Sequence, residues 1–211
     1  MSATIRPARE DDAAALASIY APVVEHTAIS FETTPPTPDD MRRRVREQTR
    51  LPWLVCERDG TGDDRDAGGR DSDTDVVGYA YASPHSSRPA YRWTVHVSVY
   101  VRESVRRRGV GRGLYESLLE VLRRQGVYNA LAVISLPNPA SVGFHESFGF
   151  ERVGVYRRVG HKHGEWRDVG HWQLSLGTPA EDPDPPAPVS DLRGDGAWGD
   201  ALARGESSIR L

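Results

Sequence analysis

The run from Trp93 to Val101, WTVHVSVYV, leads directly into a basic glycine loop and an amphipathic helix, and this succession constrains the fold most. The run alternates. Thr94, His96, Ser98 and Tyr100 fall on one face and Val95, Val97, Val99 and Val101 on the other, the period of a β-strand. Four hydrogen-bonding side chains on one face point to a strand that borders a cleft. Arg106-Arg107-Arg108-Gly109-Val110-Gly111 follows, then Leu114, Leu118, Val121 and Leu122 at the spacing of a helix face. A glycine loop opening onto a helix N-terminus presents unpaired N–H groups and the positive end of the helix dipole, an anion site suited to a pyrophosphate. Arg106, Arg107, Arg108 and Arg112 add positive charge. The spacing is neither G-x-G-x-x-G nor a P-loop, since no Gly-Lys-Ser/Thr follows. From spacing alone, a turn with solvated arginines stays open.

The remaining patterns predict a mixed α/β domain. Thr4–Arg6 reads as a short strand, with Asp11 as the N-cap of a helix placing Ala14, Leu16, Ile19, Tyr20 and Val23 on one face. TPPTPDD predicts a second helix, with Thr37 as cap, Pro38 at the first position, and Asp39 and Asp40 in the first turn. Trp53–Glu57 and Val76–Ala82 read as a hairpin around an insertion, and Tyr128–Ile134 as a buried strand. Asn138-Pro139 opens a helix ending near Gly149, and Arg152–Gly160 pairs with Asp168–Leu176. The predicted order is β-α-α-β-β-β-α-β-α-β-β.

Composition narrows the class. The single cysteine, Cys56, excludes an intramolecular disulfide and a Cys-based zinc cage. No apolar run reaches the roughly 20 residues of a membrane helix, and MSATIRPARE lacks a secretory core, so a soluble cytoplasmic protein is expected. The net charge of −3 hides an asymmetry. Residues 59–75 carry seven Asp against Arg65 and Arg70, and 178–211 carry seven acids against three Arg, which leaves the body at about +6. Residues 1–177 are therefore expected to form the domain. Within it 59–75 is an exposed acidic Gly/Asp-rich loop insertion, and 178–211 is a disordered Pro/Asp/Gly-rich tail.

The R-x-x-G-x-G loop after VSVYV, Asn138 one strand later, and HESFGF at 145–150 together resemble the GNAT acetyltransferase superfamily. SFETTPPT, PWLVCERDG, VVGYAYASP, AYRWTV, LPNPASV and HKHGEWRDVGHWQL are similar to the phosphinothricin N-acetyltransferase family within it, from Ile5 to about Leu176. The resemblance implies a GNAT fold: a central, mostly antiparallel sheet splayed at the cofactor cleft and flanked by helices. It also implies acetyl-CoA as donor and a small amino-acid-like acceptor. Val99, Tyr100 and Val101 would then meet the pantetheine through their backbone, and Arg107, Arg108, Gly109, Val110, Gly111 and Arg112 would hold the pyrophosphate. Asn138 would reach the arm, cap its helix, or do both.

One departure falls on the catalytic position. The family usually reads T-V-E or T-A-E with Glu as base, whereas this chain reads Thr94-Val95-His96. Histidine, with an ordinary pKa of about 6.5, can take a proton from an ammonium near neutral pH, but offers no negative charge to hold it first. His96 is thus a working base, a residue that orients water, or a neutral cleft histidine. His145 stands where many superfamily members carry Tyr, and either protonates the departing thiolate or packs beside the cofactor. Phe31, Ser87, Arg88 and Tyr91 match acceptor-binding positions, with Arg88 first choice for a carboxylate because guanidinium offers two parallel donors; Arg92 and Lys162 are weaker.

The reaction expected is transfer of acetyl to the α-amino group of phosphinothricin, methionine sulfoximine or methionine sulfone, directly in a ternary complex. The alternatives are a GNAT enzyme for another small amine, or a non-catalytic acetyl-CoA-binding relative. A homodimer is implied by the resemblance, with HGEWRDVG and the closing strands as interface candidates. No metal, nucleic acid or membrane partner is implied: the seven His are scattered and the basic residues gather at one loop.

Overall fold

The computed structural model describes residues 3–59, 74–194 and 196–211. Its sheet has seven strands in the order β1-β2-β3-β4-β5-β7-β6, with β1 Ala3–Pro7, β2 Trp53–Asp59, β3 Thr74–Pro84, β4 Thr94–Val101, β5 Asn129–Leu136, β6 Glu151–Lys162 and β7 Glu165–Ser175. All neighbours are antiparallel except β4 and β5. Helices α1 (Ala13–His26) and α2 (Pro38–Glu47) pack on one face, and α3 (Val110–Gln125) packs on the other. α4 (Pro139–Glu146) follows β5.

The alternation of β4 decides which face each residue meets. Val95 and Val97 are buried in the cluster built on Leu114, Leu118 and Leu122 of α3, so the even-numbered residues turn toward α1 and α2. There Tyr100 stands edge-on to Tyr20 at 4.7 Å. Tyr79 and Tyr81 of β3 and Trp53 of β2 continue this aromatic layer.

Local signals were read correctly at α2. Thr37 Oγ1 accepts the Asp40 N–H and Asp40 Oδ2 accepts the Thr37 N–H, a capping box with Pro38 at the first position. The α1 expectation needs correction. A short 3-10 turn over Glu10–Asp12 precedes the helix, and Asp12 rather than Asp11 occupies its N-cap position. Its carboxylate accepts from the Arg9 N–H and pairs with Arg6, which also reaches Glu57. Ala14 is exposed, and Ala13 and Ala17 fill the buried face in its place.

The β2–β3 hairpin closes at Asp59 and Thr74, so of the expected insertion, residues 60–73 lie outside the described residues. At its base Asp75 receives both guanidinium nitrogens of Arg102 at 2.8 Å and Arg58 at 3.0 Å.

The tail, expected to be disordered, is packed on the domain. After β7 the chain returns over the outer side of α3 through α5 (Val189–Leu192) and α6 (Gly196–Ala203). Val189 and Ala201 cover Val121, which has no exposed surface. Gln125 Nε2 donates to the carbonyls of Arg50 and Ala187, and Ser117 Oγ donates to the carbonyl of Leu202. The reason lies in α3. It is apolar beyond the face that meets the sheet, and a few apolar residues scattered among prolines and acids suffice to cover the rest.

Candidate active site

A gap opens in the middle of the sheet. β4 and β5 pair in parallel only at Thr94–Asn129, Val95–Ala130 and His96–Leu131. Beyond His96, β4 stays with β3 as far as Val101 opposite Gly78, while β5 follows β7 as far as Leu136 opposite Asp168. The β4 backbone edge from 97 to 101 therefore faces a wedge with no strand in it. Val99, Tyr100 and Val101 lie on this edge.

The glycine loop sits at the mouth of the wedge. Arg107 and Gly109 take left-handed backbone angles, with φ of 64° and 84°. A β-carbon on Gly111 would lie 3.5 Å from Val101, 3.9 Å from Val99 and 3.8 Å from Phe144, so this glycine faces the gap. The first-turn N–H groups of Val110, Gly111 and Arg112 have no intrahelical acceptor, and the dipole adds positive potential. Arg106, Arg107 and Arg108 are exposed beside them, while Arg112 lies over the Phe148 ring and donates to Ser147 Oγ. These groups fit a diphosphate.

His96 stands at the point where the strands part. Its Nε2 lies 3.1 Å from Nδ1 of His85, an exposed residue just after β3 that the sequence reading did not single out. Burial pushes His96 below the ordinary histidine pKa, and His85 and His171 push the same way, so the imidazole is neutral at pH 7. His171 was also missed. Its Nε2 is buried without a hydrogen-bond partner among the described residues, and its ring meets Tyr156. Both histidines follow from strand register, which no local pattern encodes.

His145 has a different setting. Its Nδ1 is 2.8 Å from the Ser141 carbonyl and its Nε2 2.9 Å from Tyr115 Oη. A carbonyl only accepts, so Nδ1 carries the proton and Nε2 accepts from the tyrosine. Burial holds the ring neutral. Both nitrogens are engaged, so the geometry favours an internal brace between α3 and α4 over the expected donor to a thiolate. Asn138 Oδ1 accepts the Ser141 N–H and caps α4, which ends at Glu146, short of Gly149.

The acceptor-side residues divide. Ser87, Arg88 and Tyr91 line a cavity of about 460 Å³ with Thr94, and the Tyr91 ring meets His85 at 5.1 Å. Phe31 lies elsewhere, packed so closely on Gly160 of β6 that a β-carbon there would come within 2.2 Å of its ring. Lys162 is no carboxylate ligand. Its three ammonium protons go to the carbonyls of Val24, Ser30 and Glu32, which fixes the segment carrying Phe31. Arg92 Nε donates to the Pro89 carbonyl. The sequence reading also passed over Glu32, which Arg44 grips with two 3.0 Å bonds.

Comparison with known proteins gives this geometry a family. The acetyltransferase (GNAT) domain model matches residues 69–171. The phosphinothricin N-acetyltransferase of Streptomyces viridochromogenes is 41% identical over 189 residues, covering 88% of this chain and 92% of that protein. The chain belongs to the phosphinothricin N-acetyltransferase family of the GNAT acetyltransferases. Another relative, the L-methionine sulfoximine/L-methionine sulfone acetyltransferase of Pseudomonas paraeruginosa, is 35% identical over 83% of this chain and 96% of its own. A solved GNAT superfamily phosphinothricin acetyltransferase from Sinorhizobium meliloti, in complex with AcCoA, superposes with a TM-score of 0.74 at 32% identity, covering 90% of this chain and 99% of that one. In this family member the wedge, the glycine loop and His96 are brought together by the β4–loop–α3 unit.

Proposed function

We propose that this protein is an N-acetyltransferase that moves acetyl from acetyl-CoA to the α-amino group of a small amino-acid-like acceptor, of the phosphinothricin, methionine sulfoximine or methionine sulfone type. The observation that carries the reading is the parting of β4 from β5 at His96, with the glycine loop at the same opening. The pantetheine arm fits along the free backbone edge of Val99, Tyr100 and Val101. The pyrophosphate fits the N–H groups of Arg107 to Arg112, and Asn138 closes the far end while capping α4.

The chemistry is amine attack on a thioester: a C–N bond forms, the C–S bond breaks, the amine loses a proton and the thiolate gains one. His96 is the base. When Nε2–H donates to His85 Nδ1, the lone pair of His96 Nδ1 is free to accept the amine proton. The resulting imidazolium passes a proton through Nε2 to His85, whose exposed ring delivers it to water. Arg88, with Ser87 and Tyr91 in the adjoining cavity, receives the acceptor's carboxylate; Phe31, packed on Gly160, stands outside that cavity. His145 acts from behind by fixing Tyr115 and α4.

The same reading makes the protein a cytoplasmic homodimer, in keeping with a detoxifying role. No helix among the described residues is long and apolar enough to cross a membrane. Val153, Tyr156, Val159 and Trp166 are each more than half exposed on the outer hairpin, an apolar surface suited to a second copy.

The test is thiol release from acetyl-CoA with phosphinothricin, methionine sulfoximine, methionine sulfone and spermidine. Turnover with the amino acids and not with spermidine is the expected result. Binding of acetyl-CoA without turnover on any acceptor would make the chain a cofactor-binding relative.

A further inference from the structure

The last seven residues lie against the back of the glycine loop. The Ser208 carbonyl oxygen sits 1.8 Å from where a β-carbon on Gly109 would be, so the tail occupies the space that only glycine leaves open. One turn on, the backbones of Gly113 and Gly205 meet. A β-carbon on Gly113 would lie 2.4 Å from the Gly205 oxygen, and one on Gly205 would lie 1.9 Å from the Gly113 oxygen. Hydrogen bonds fix the approach. The Arg210 N–H donates to the Arg108 carbonyl at 2.9 Å, Ser208 Oγ to Glu116 Oε2 at 2.6 Å, and the Gly205 N–H to Ser117 Oγ at 3.2 Å. Glu206 Oε1 accepts the Ile5 N–H at 2.8 Å, anchoring the segment to β1.

The side on which it docks decides what it can do. Gly109 and Gly113 face the tail, whereas Gly111 faces Val99, Val101 and Phe144 across the gap. The tail therefore leaves the wedge open and supports the loop from behind. The loop needs support, because Arg107 adopts a left-handed conformation unfavourable for a residue with a side chain. Engaging the Arg108 carbonyl also fixes the peptide plane whose N–H belongs to Gly109.

We propose that residues 205–211 are a positioning element of the acetyl-CoA site: a strap that holds the glycine loop in its binding conformation without touching the cofactor. This rests on the glycine loop being the cofactor's phosphate site, as inferred above. Binding of acetyl-CoA and docking of the strap are then linked, and each strengthens the other.

The experiment uses the full chain and measures acetyl-CoA affinity by calorimetry beside the melting temperature and steady-state kinetics. Arg210→Pro removes the N–H that holds Arg108, and Gly205→Val forces the strap off Gly113. Both are expected to weaken acetyl-CoA about five- to tenfold, the scale of one or two lost hydrogen bonds. Acceptor KM and kcat at saturating cofactor stay unchanged. Arg210→Ala keeps the N–H and is expected to bind like the parent; an equal loss there would assign the effect to side-chain charge and overturn the strap. Hydrogen exchange on the unaltered protein gives a readout free of folding defects. Acetyl-CoA should slow exchange of the 205–211 amides along with those of 107–112. Unchanged exchange in the tail, unchanged affinity in folded Arg210→Pro, or tighter binding there would each overturn the proposal. Failure of the parent chain to bind acetyl-CoA at all would instead remove the phosphate-site reading, and the strap with it.

Discussion

His85 Nδ1 lies 3.1 Å from His96 Nε2, joining the residue at the parting of the strands to one open to solvent. Replacing the proposed base, His96→Ala, is expected to lower kcat/KM by roughly 10²-fold or more. With His96 as base, the acid limb of the pH–rate profile is expected below the ordinary histidine value, because burial and then its histidine neighbours disfavour the cation. His85→Ala removes one such neighbour, so that limb should move to higher pH, with kcat reduced less than in His96→Ala. A limb that stays in place in His85→Ala would separate the two histidines.

Removing the internal brace should affect stability more than chemistry. His145→Phe leaves the Tyr115 hydroxyl without its acceptor inside a fully buried site, which costs about 1–3 kcal/mol in denaturant unfolding. Turnover per folded molecule should fall far less than in His96→Ala. A loss of equal size would return His145 to the chemistry.

The same residue makes stability depend on pH. Burial lowers the folded pKa of His145, so below about 6.5 the unfolded chain takes up a proton that the folded chain refuses. The contribution is complete above that value and is lost as pH falls toward the folded pKa; His96 adds to it in the same sense. Urea midpoints at pH 8 and pH 5.5 measure the effect, which should shrink in His145→Phe.

Arg88→Ala should raise the acceptor KM about tenfold or more, leaving the acetyl-CoA KM unchanged, since a carboxylate loses a two-donor partner. Steady-state kinetics with each substrate varied in turn separates the two. Lys162→Met should act on the fold instead. It frees the Ser30–Glu32 segment and lowers stability by about 2 kcal/mol or more, because three carbonyls lose a charged donor.

Placing charge on the outer hairpin should dissociate the proposed dimer. Tyr156→Asp with Trp166→Asp is expected to halve the mass measured by light scattering while leaving the far-ultraviolet spectrum unchanged.

The sequence by itself determined the element order as far as β7, the two-faced β4, the glycine loop on α3, and the helix cap at Thr37, because each rests on periodicity or on hydrogen bonds spanning a few residues. It also supplied His96 as the departure on β4 from the residue the family usually carries. Only the tertiary structure decided what surrounds these elements. Strand register brought His85 against His96 and His171 within electrostatic reach of it, and the packing of α3 on α4 put Tyr115 against His145. Three carbonyls more than 100 residues away consumed the ammonium of Lys162. The tail shows the difference most plainly. Its composition reads as a chain that cannot order itself, and alone it has too little apolar surface to do so. The outer side of α3 supplies the missing partner surface, and that side exists only once the sheet has buried the other one.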